Sequence, residues 1–230
     1  MYFYGIDQYY IILVLPAILI SAFAQFKVTS TFSKYNKIMN SRSITGAQVA
    51  RRILDMNGLT NVVIEHVAGN LSDHYDPTKR VLRLSDSVYS SMSVAALGVA
   101  AHECGHAIQH ATGYLPLRAR HAVYPLVRIS SAAAMPLILL GLIIGGFGLV
   151  NLGIILFGAV VVFQLITLPV EFNASSRALK ILDDSDFLAT DELKSARKVL
   201  SAAALTYVAS ALVSLMQLLR FLLIFNNRRD

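Results

Sequence analysis

Two histidines four residues apart, His102 and His106, interrupt the alanine-rich run AALGVAAHECGHAIQH, which spans positions 95 to 110. On a helix that spacing puts both imidazoles on one face, about a turn apart. Two nitrogens placed this way reach one tetrahedral Zn²⁺ at about 2.0–2.1 Å. Glu103 lies one step round the helix, too close in sequence for a third ligand but well placed beside an attacking water. A glutamate there takes a proton from the water and delivers it to a leaving amine, while the metal polarises the scissile carbonyl. The neighbours Val99, Ala100, Cys104, Ala107 and Ile108 are apolar. A carboxylate buried among them without a metal or partner would cost several kcal/mol.

The helix alone does not complete a metal site. His110 continues the same face, but it lies about 12 Å of helix rise from His102 and cannot share its zinc. It suits polar packing, support of a zinc-bound histidine or contact at the domain rim. The metzincin pattern needs Gly at 109 and His at 112, where this chain has Gln109 and Thr112. Cys104 points elsewhere round the helix and reads as a small core residue. As the one cysteine, it also rules out an intramolecular disulfide framework. A third ligand must come from farther along the chain. The best candidate is Glu171, which opens EFNASSRALKIL directly after the third span, whose 19 residues, Leu152–Val170, carry no charge and include Pro169. Its plainer reading is a carboxylate at the start of an interfacial helix, favoured there by the macrodipole. His66, His74 and His121 are rivals in loop or strand contexts, with no topological tie to the histidine helix.

The elements that must position these groups follow from composition. Of 230 residues 55% are hydrophobic and 15% charged, with no Trp, and the mean hydropathy is +0.57. Ordinary globular domains carry about 25% charged residues, so an integral membrane protein is indicated. Four apolar segments approach the length of a bilayer span: about Tyr9–Phe26, Ala132–Val150, Leu152–Val170 and Ala203–Phe225. The first reads as a span, because nothing positive precedes it and no small-x-small cleavage site follows before Lys27. The second and third form a hairpin around Gly148 and Asn151. Arg220, near the end of the fourth, is expected to snorkel to the interface.

The net charge is +6, and of the 20 Lys and Arg residues 12 lie in the polar segment Lys27–Arg128 and five in a second one, Glu171–Leu200. The hairpin puts both on one side of the membrane, and the positive-inside rule makes that side cytoplasmic. Arg228 and Arg229 run against this orientation. No recognition motif accompanies the charge, so nucleic acid is set aside as a partner. Within the first segment, Thr45–Asn57 reads as an amphipathic helix stopped by Asn57-Gly58. Asn61–Val67 reads as a strand, Asp76-Pro77-Thr78 as a turn and Arg80–Ser85 as a second strand. The histidine helix runs from an N-cap at Ser93 to Thr112, with Gly113 at its end.

LSDHYDPTKRVLRLS, AAHECGHAIQHA and LPVEFNASSRA, set in a four-span frame, resemble the YugP-type neutral zinc metallopeptidases of bacterial membranes. The arrangement is more distantly similar to HtpX-type and CAAX-prenyl-type membrane gluzincins, which carry Glu-x-x-Ala-Asp after the hydrophobic hairpin. The resemblance implies a mainly α membrane protein of about four transmembrane helices, with a small α+β zincin-like catalytic domain inserted between the first and second. Its boundaries would be an N-terminal span (1–26), the catalytic segment (27–128), a transmembrane hairpin (129–170), a helix carrying the third ligand (171–200) and a C-terminal span (201–230). It implies one Zn²⁺ held by His102, His106 and Glu171, with Glu103 as general base. Ser175 stands where those relatives have the aspartate that orients a zinc-bound histidine, and Asn173 or His110 could compensate for its weakness.

The resemblance also implies an exposed edge at Val81–Ser85, against which an extended peptide adds backbone hydrogen bonds; a plain structural hairpin is the alternative. His74 or Tyr75 could hydrogen-bond a tetrahedral intermediate, or both could belong to a turn network. Arg177 could meet a substrate carboxylate or the membrane surface. The implied function is a multi-pass cell-membrane zinc metalloendopeptidase acting on peptide or protein substrates, membrane proteins among them, with the lipid bilayer as its other partner. Self-association into a homo-oligomer is open to so small a four-span protein. The alternative is a non-catalytic membrane zinc-binding scaffold. A transporter ranks third, because the spans lack paired broken helices and buried charges.

Overall fold

A computed structural model describes residues 7–226. The elements follow in the order α1 (Leu15–Tyr35), α2 (Gly46–Met56), β1 (Val63–Val67), β2 (His74–Asp76), β3 (Val81–Ser85), α3 (Val94–Ala111), α4 (Leu115–Ile144), α5 (Phe147–Asp184) and α6 (Thr190–Asn226). A π-helical turn, Tyr10–Val14, leads into α1. The chain divides into two compact units. One gathers the chain up to Gln25, Arg118–Pro169 and the chain from Thr206 onward; the other gathers Phe26–Leu117 and Val170–Leu205. The pair Arg228 and Arg229 lies outside the described residues.

Four helical stretches are long and apolar enough to cross a membrane: Tyr10–Tyr35, Leu115–Ile144, Phe147–Asp184 and Thr190–Asn226. Each is longer than its apolar core, because a helix already satisfied by its own hydrogen bonds continues into polar sequence at no backbone cost. The turn between α4 and α5 falls at Gly145-Gly146, ahead of the expected Gly148–Asn151. Gly145 has φ +73°, the left-handed conformation that ends helices and that glycine adopts without penalty. Pro169 does not end a helix either; it lies inside α5. Nearby, the Thr167 hydroxyl donates to the Phe163 carbonyl at 2.8 Å.

The first unit has its own apolar cluster, with Ile138, Val150, Ile154 and Phe221 at its centre. Arg220 corrects the snorkelling expectation. It is buried, and its Nε and Nη2 donate to Asp7 Oδ2 at 2.9 and 2.6 Å. The Tyr10 ring centroid lies 5.2 Å from the guanidinium carbon. A guanidinium withdrawn from water requires such a partner, and the carboxylate that supplies it is 213 positions away in sequence.

The second unit is built round α3. Thirteen of its 18 residues are buried, from Val94 to Gln109, and most are alanine or glycine, so neighbouring backbones approach closely. The cap at Ser93 accepts from the Ala96 N–H at 3.0 Å. α2 packs the stripe Val49, Ala50, Ile53 and Leu54 into the same core. Full burial of a Val, Leu or Ile side chain is worth about 1.5–3 kcal/mol. Its start is fixed by a reciprocal box: Thr45 Oγ1 accepts from Gln48 N–H, and Gln48 Oε1 accepts from Thr45 N–H.

The sheet has the order β1-β3-β2, with β1 parallel and β2 antiparallel to β3. Val81–Ser85 is therefore the central strand and not an exposed edge. The polar stretch His74–Asp76, read as part of a turn, closes its second side. Burial of Val81, Leu82, Leu84 and Ser85 matches a strand covered on both sides.

Candidate metal centre

The histidine helix and α5 bring together His102, His106 and Glu171. Glu171 Oε2 lies 3.3 Å from His102 Nε2 and 3.5 Å from His106 Nε2. One ligand atom from each of the three falls within 4.8 Å of the others. A tetrahedron with arms of about 2.0–2.1 Å puts its ligand atoms ~3.3 Å apart, which the two Glu171–histidine separations match. Two imidazole nitrogens and a carboxylate are also the donors that Zn²⁺ takes in catalytic sites. Among the described residues, this is the His/Cys/Asp/Glu grouping that could hold a metal ion.

The close fit of the two helices depends on Gly105. A Cβ there would meet the Ala174 carbonyl oxygen at 2.7 Å and its Cα at 3.1 Å. Ala174 sits between Glu171 and Ser175 on α5, as Gly105 sits between the two histidines on α3. Glu171 is thus a mid-helix residue facing α3 rather than a helix-start carboxylate, and the macrodipole does not account for its position. It is 2% exposed and Glu103 8%, so two carboxylates are buried beside two imidazoles. Burial works against the charged form of His106, but the Glu171 and Glu103 carboxylates outweigh it and raise its pKa above the ordinary imidazole value. The pocket attracts positive charge.

Each histidine turns its other nitrogen to a partner. His102 Nδ1 lies 3.0 Å from Ser175 Oγ, and His106 Nδ1 lies 3.0 Å from Gln109 Oε1. Both Nε2 atoms then face Glu171, the arrangement in which imidazoles ligate metals.

Residues 10–226 match the family described as "Putative neutral zinc metallopeptidase". The chain belongs to this family. It is 55% identical over 221 residues to a protein of Bacillus subtilis (strain 168) named "Putative membrane protease YugP", covering 96% of this chain and 98% of that one. No solved structure matches. Membership of this family, with the donor set above, makes zinc the metal implied, and the four membrane-length helices together with the membrane-protease relative support a membrane location.

The remaining singled-out residues make the following contacts. The His110 ring accompanies Tyr75, whose hydroxyl lies 3.0 Å from His110 Nδ1. His74 pairs with the Ser72 carbonyl and with Arg83, on β2 and β3. Arg177 Nε donates to Asn173 Oδ1 at 2.8 Å. His66 is bound to Asp86 at 2.6 Å, and His121 lies on α4. Cys104 is fully buried, and burial followed by the nearby Glu103 charge pushes its thiol pKa up, leaving it inert. Sequence reasoning missed Gln109, noted only as a mismatch to another pattern. The available signal was a lone amide one turn beyond His106 on a wall of alanines.

Proposed function

We propose that this chain is a membrane-embedded zinc endopeptidase of gluzincin type, hydrolysing peptide bonds of protein substrates near the membrane surface. The observation that carries the reading is the convergence of His102, His106 and Glu171, with the buried Glu103 next to His102 in the same helix. These three would hold one Zn²⁺. When bound, zinc supplies Lewis acidity to the scissile carbonyl and to a water. Glu103 accepts the proton that the attacking water loses and passes it to the departing nitrogen, so that the C–N bond is replaced by a carboxyl group and a free amine. Ser175 and Gln109 hold the imidazoles in place during this transfer. A purely structural zinc site fills its fourth position with protein, whereas the donor group here has three members.

Glu171 directly follows the 19 uncharged residues Leu152–Val170, which supports a reading in which the cleaved bonds lie close to the bilayer and membrane proteins are among the substrates. The Lys and Arg residues gathered in the polar segments, 17 of the 20 in the chain, favour a cytoplasmic catalytic side. The test is Glu103→Gln in the purified full-length chain, with an unfolded protein as substrate. Cleavage is expected to fall by about 10²–10⁴-fold, the usual contribution of a positioned base, while zinc content stays at that of the parent. A variant that cleaves as fast as the parent removes Glu103 from this role.

A further inference from the structure

Gln109 is a polar side chain with 0% exposure on a helix otherwise walled by small apolar residues. Its amide is fully engaged. Nε2 donates to the Val170 carbonyl at 2.7 Å and to Asn173 Oδ1 at 3.0 Å, and Oε1 meets His106 Nδ1 at 3.0 Å. Amide orientation and histidine tautomer are set by the surrounding hydrogen bonds, and here they can be deduced from one end. Arg177 has donors and no acceptor, so the Asn173 atom that receives its Nε at 2.8 Å must be the oxygen. An oxygen at that point requires the Gln109 atom facing it to be the NH₂, and the Val170 carbonyl independently requires the same. Gln109 Oε1 is left to face His106, whose Nδ1 must then carry the hydrogen. In the neutral, metal-binding form of the ring the lone pair of His106 is therefore on Nε2, the atom 3.5 Å from Glu171.

We infer that Gln109 is a positioning residue, fed by Arg177 through Asn173, that locks His106 in its metal-binding tautomer and clamps the backbone carbonyl just before Glu171 to the histidine helix. One buried amide so links two of the three metal ligands. His102 is held differently: the Ser175 hydroxyl can donate or accept, so it orients the ring without choosing the tautomer. Arg177 thereby has a role internal to the site, through its bond to Asn173.

This inference rests on the metal-centre reading, and the test separates the two. Full-length protein in detergent, stripped of metal, is titrated with Zn²⁺ against a chromophoric chelator, and with Co²⁺ while its visible absorption is recorded. Gln109→Met keeps the length of the side chain and removes every hydrogen bond. Zinc affinity should fall about 10–100-fold, the usual effect of losing a group that orients a ligand, and the cobalt bands should shift. Parent affinity with an unchanged cobalt spectrum overturns the assignment. Because a buried substitution can unfold the chain, the partly exposed Asn173 supplies a second arm. Asn173→Asp keeps an oxygen for both Arg177 and Gln109 and should bind zinc like the parent, whereas Asn173→Leu should bind it more weakly. Equal affinities in that pair overturn the relay. A parent chain that takes up no Zn²⁺ overturns the metal centre itself, a different failure.

Discussion

At the scale of single residues, the pairing of His102 and His106 could be read directly, because a four-residue spacing on a helix is a local property of the sequence. Glu171 could be read only as a candidate, by its place after an apolar run. Gln109 and Ser175 were harder: Gln109 Nε2 bonds 61 and 64 positions away, and Ser175 bonds His102 73 positions back. Nothing local marks an amide or hydroxyl as the orienter of a distant ring. The Ser175 hydroxyl reaches His102 Nδ1 at 3.0 Å. Ser175→Ala should weaken zinc binding about tenfold in a chelator competition, whereas Ser175→Asp should bind at least as tightly as the parent. If the alanine variant holds zinc as the parent does, the 3.0 Å contact has no bearing on the metal.

At the scale of elements, the two ends of α3 and of α2 were legible because caps are local chemistry: Ser93, Thr112 and Gly113 for one, Thr45 and Asn57 for the other. The rank of β3 in the sheet was not. Alternation in RVLRLS says that one face is buried and says nothing of what pairs along each side, and its partner His74–Asp76 is too short and polar to stand out. Helix contacts give a sharper test. In a helix interior Gly→Ala normally gains about 0.8–1.0 kcal/mol from propensity. At Gly105 the new Cβ would press on Ala174 backbone atoms, which cannot rotate away, and overpacking of this kind costs about 1–3 kcal/mol. Gly105→Ala should therefore lower the melting temperature and weaken zinc binding together. Gly148, helical in α5 with nothing within 4 Å of its would-be Cβ, is the control. Gly148→Ala should raise the melting temperature or leave it unchanged. The opposite order would mean that helix separation at Gly105 is not what sets the Glu171 position.

At the scale of the whole molecule, four spans were visible in hydropathy because bilayer thickness imposes a length that composition reveals. Their continuation into polar sequence was not visible, since hydropathy locates the apolar part of a helix and not its ends. The Asp7–Arg220 pair was equally hidden, joining the first residues described to the end of α6. Removing one member of a buried ion pair strands the other charge and costs about 3–5 kcal/mol, whereas replacing both is often near neutral. Asp7→Asn and Arg220→Met should each lower the unfolding temperature in detergent, and the double variant should recover most of the loss. Additive losses would show that the two side chains act independently.

Under the proposed function, the central place of β3 limits how a peptide substrate is read. With both flanks of that strand taken, an incoming extended segment on the side held to α3 through Tyr75 and His110 finds only β2, three residues long. Alternate residues of a strand direct their backbone groups to opposite sides, so that ledge offers one or two positions for registration. A catalogue of cleaved bonds should accordingly show selectivity confined to one or two neighbouring side chains. A long, strict consensus would place the recognition surface somewhere other than the sheet.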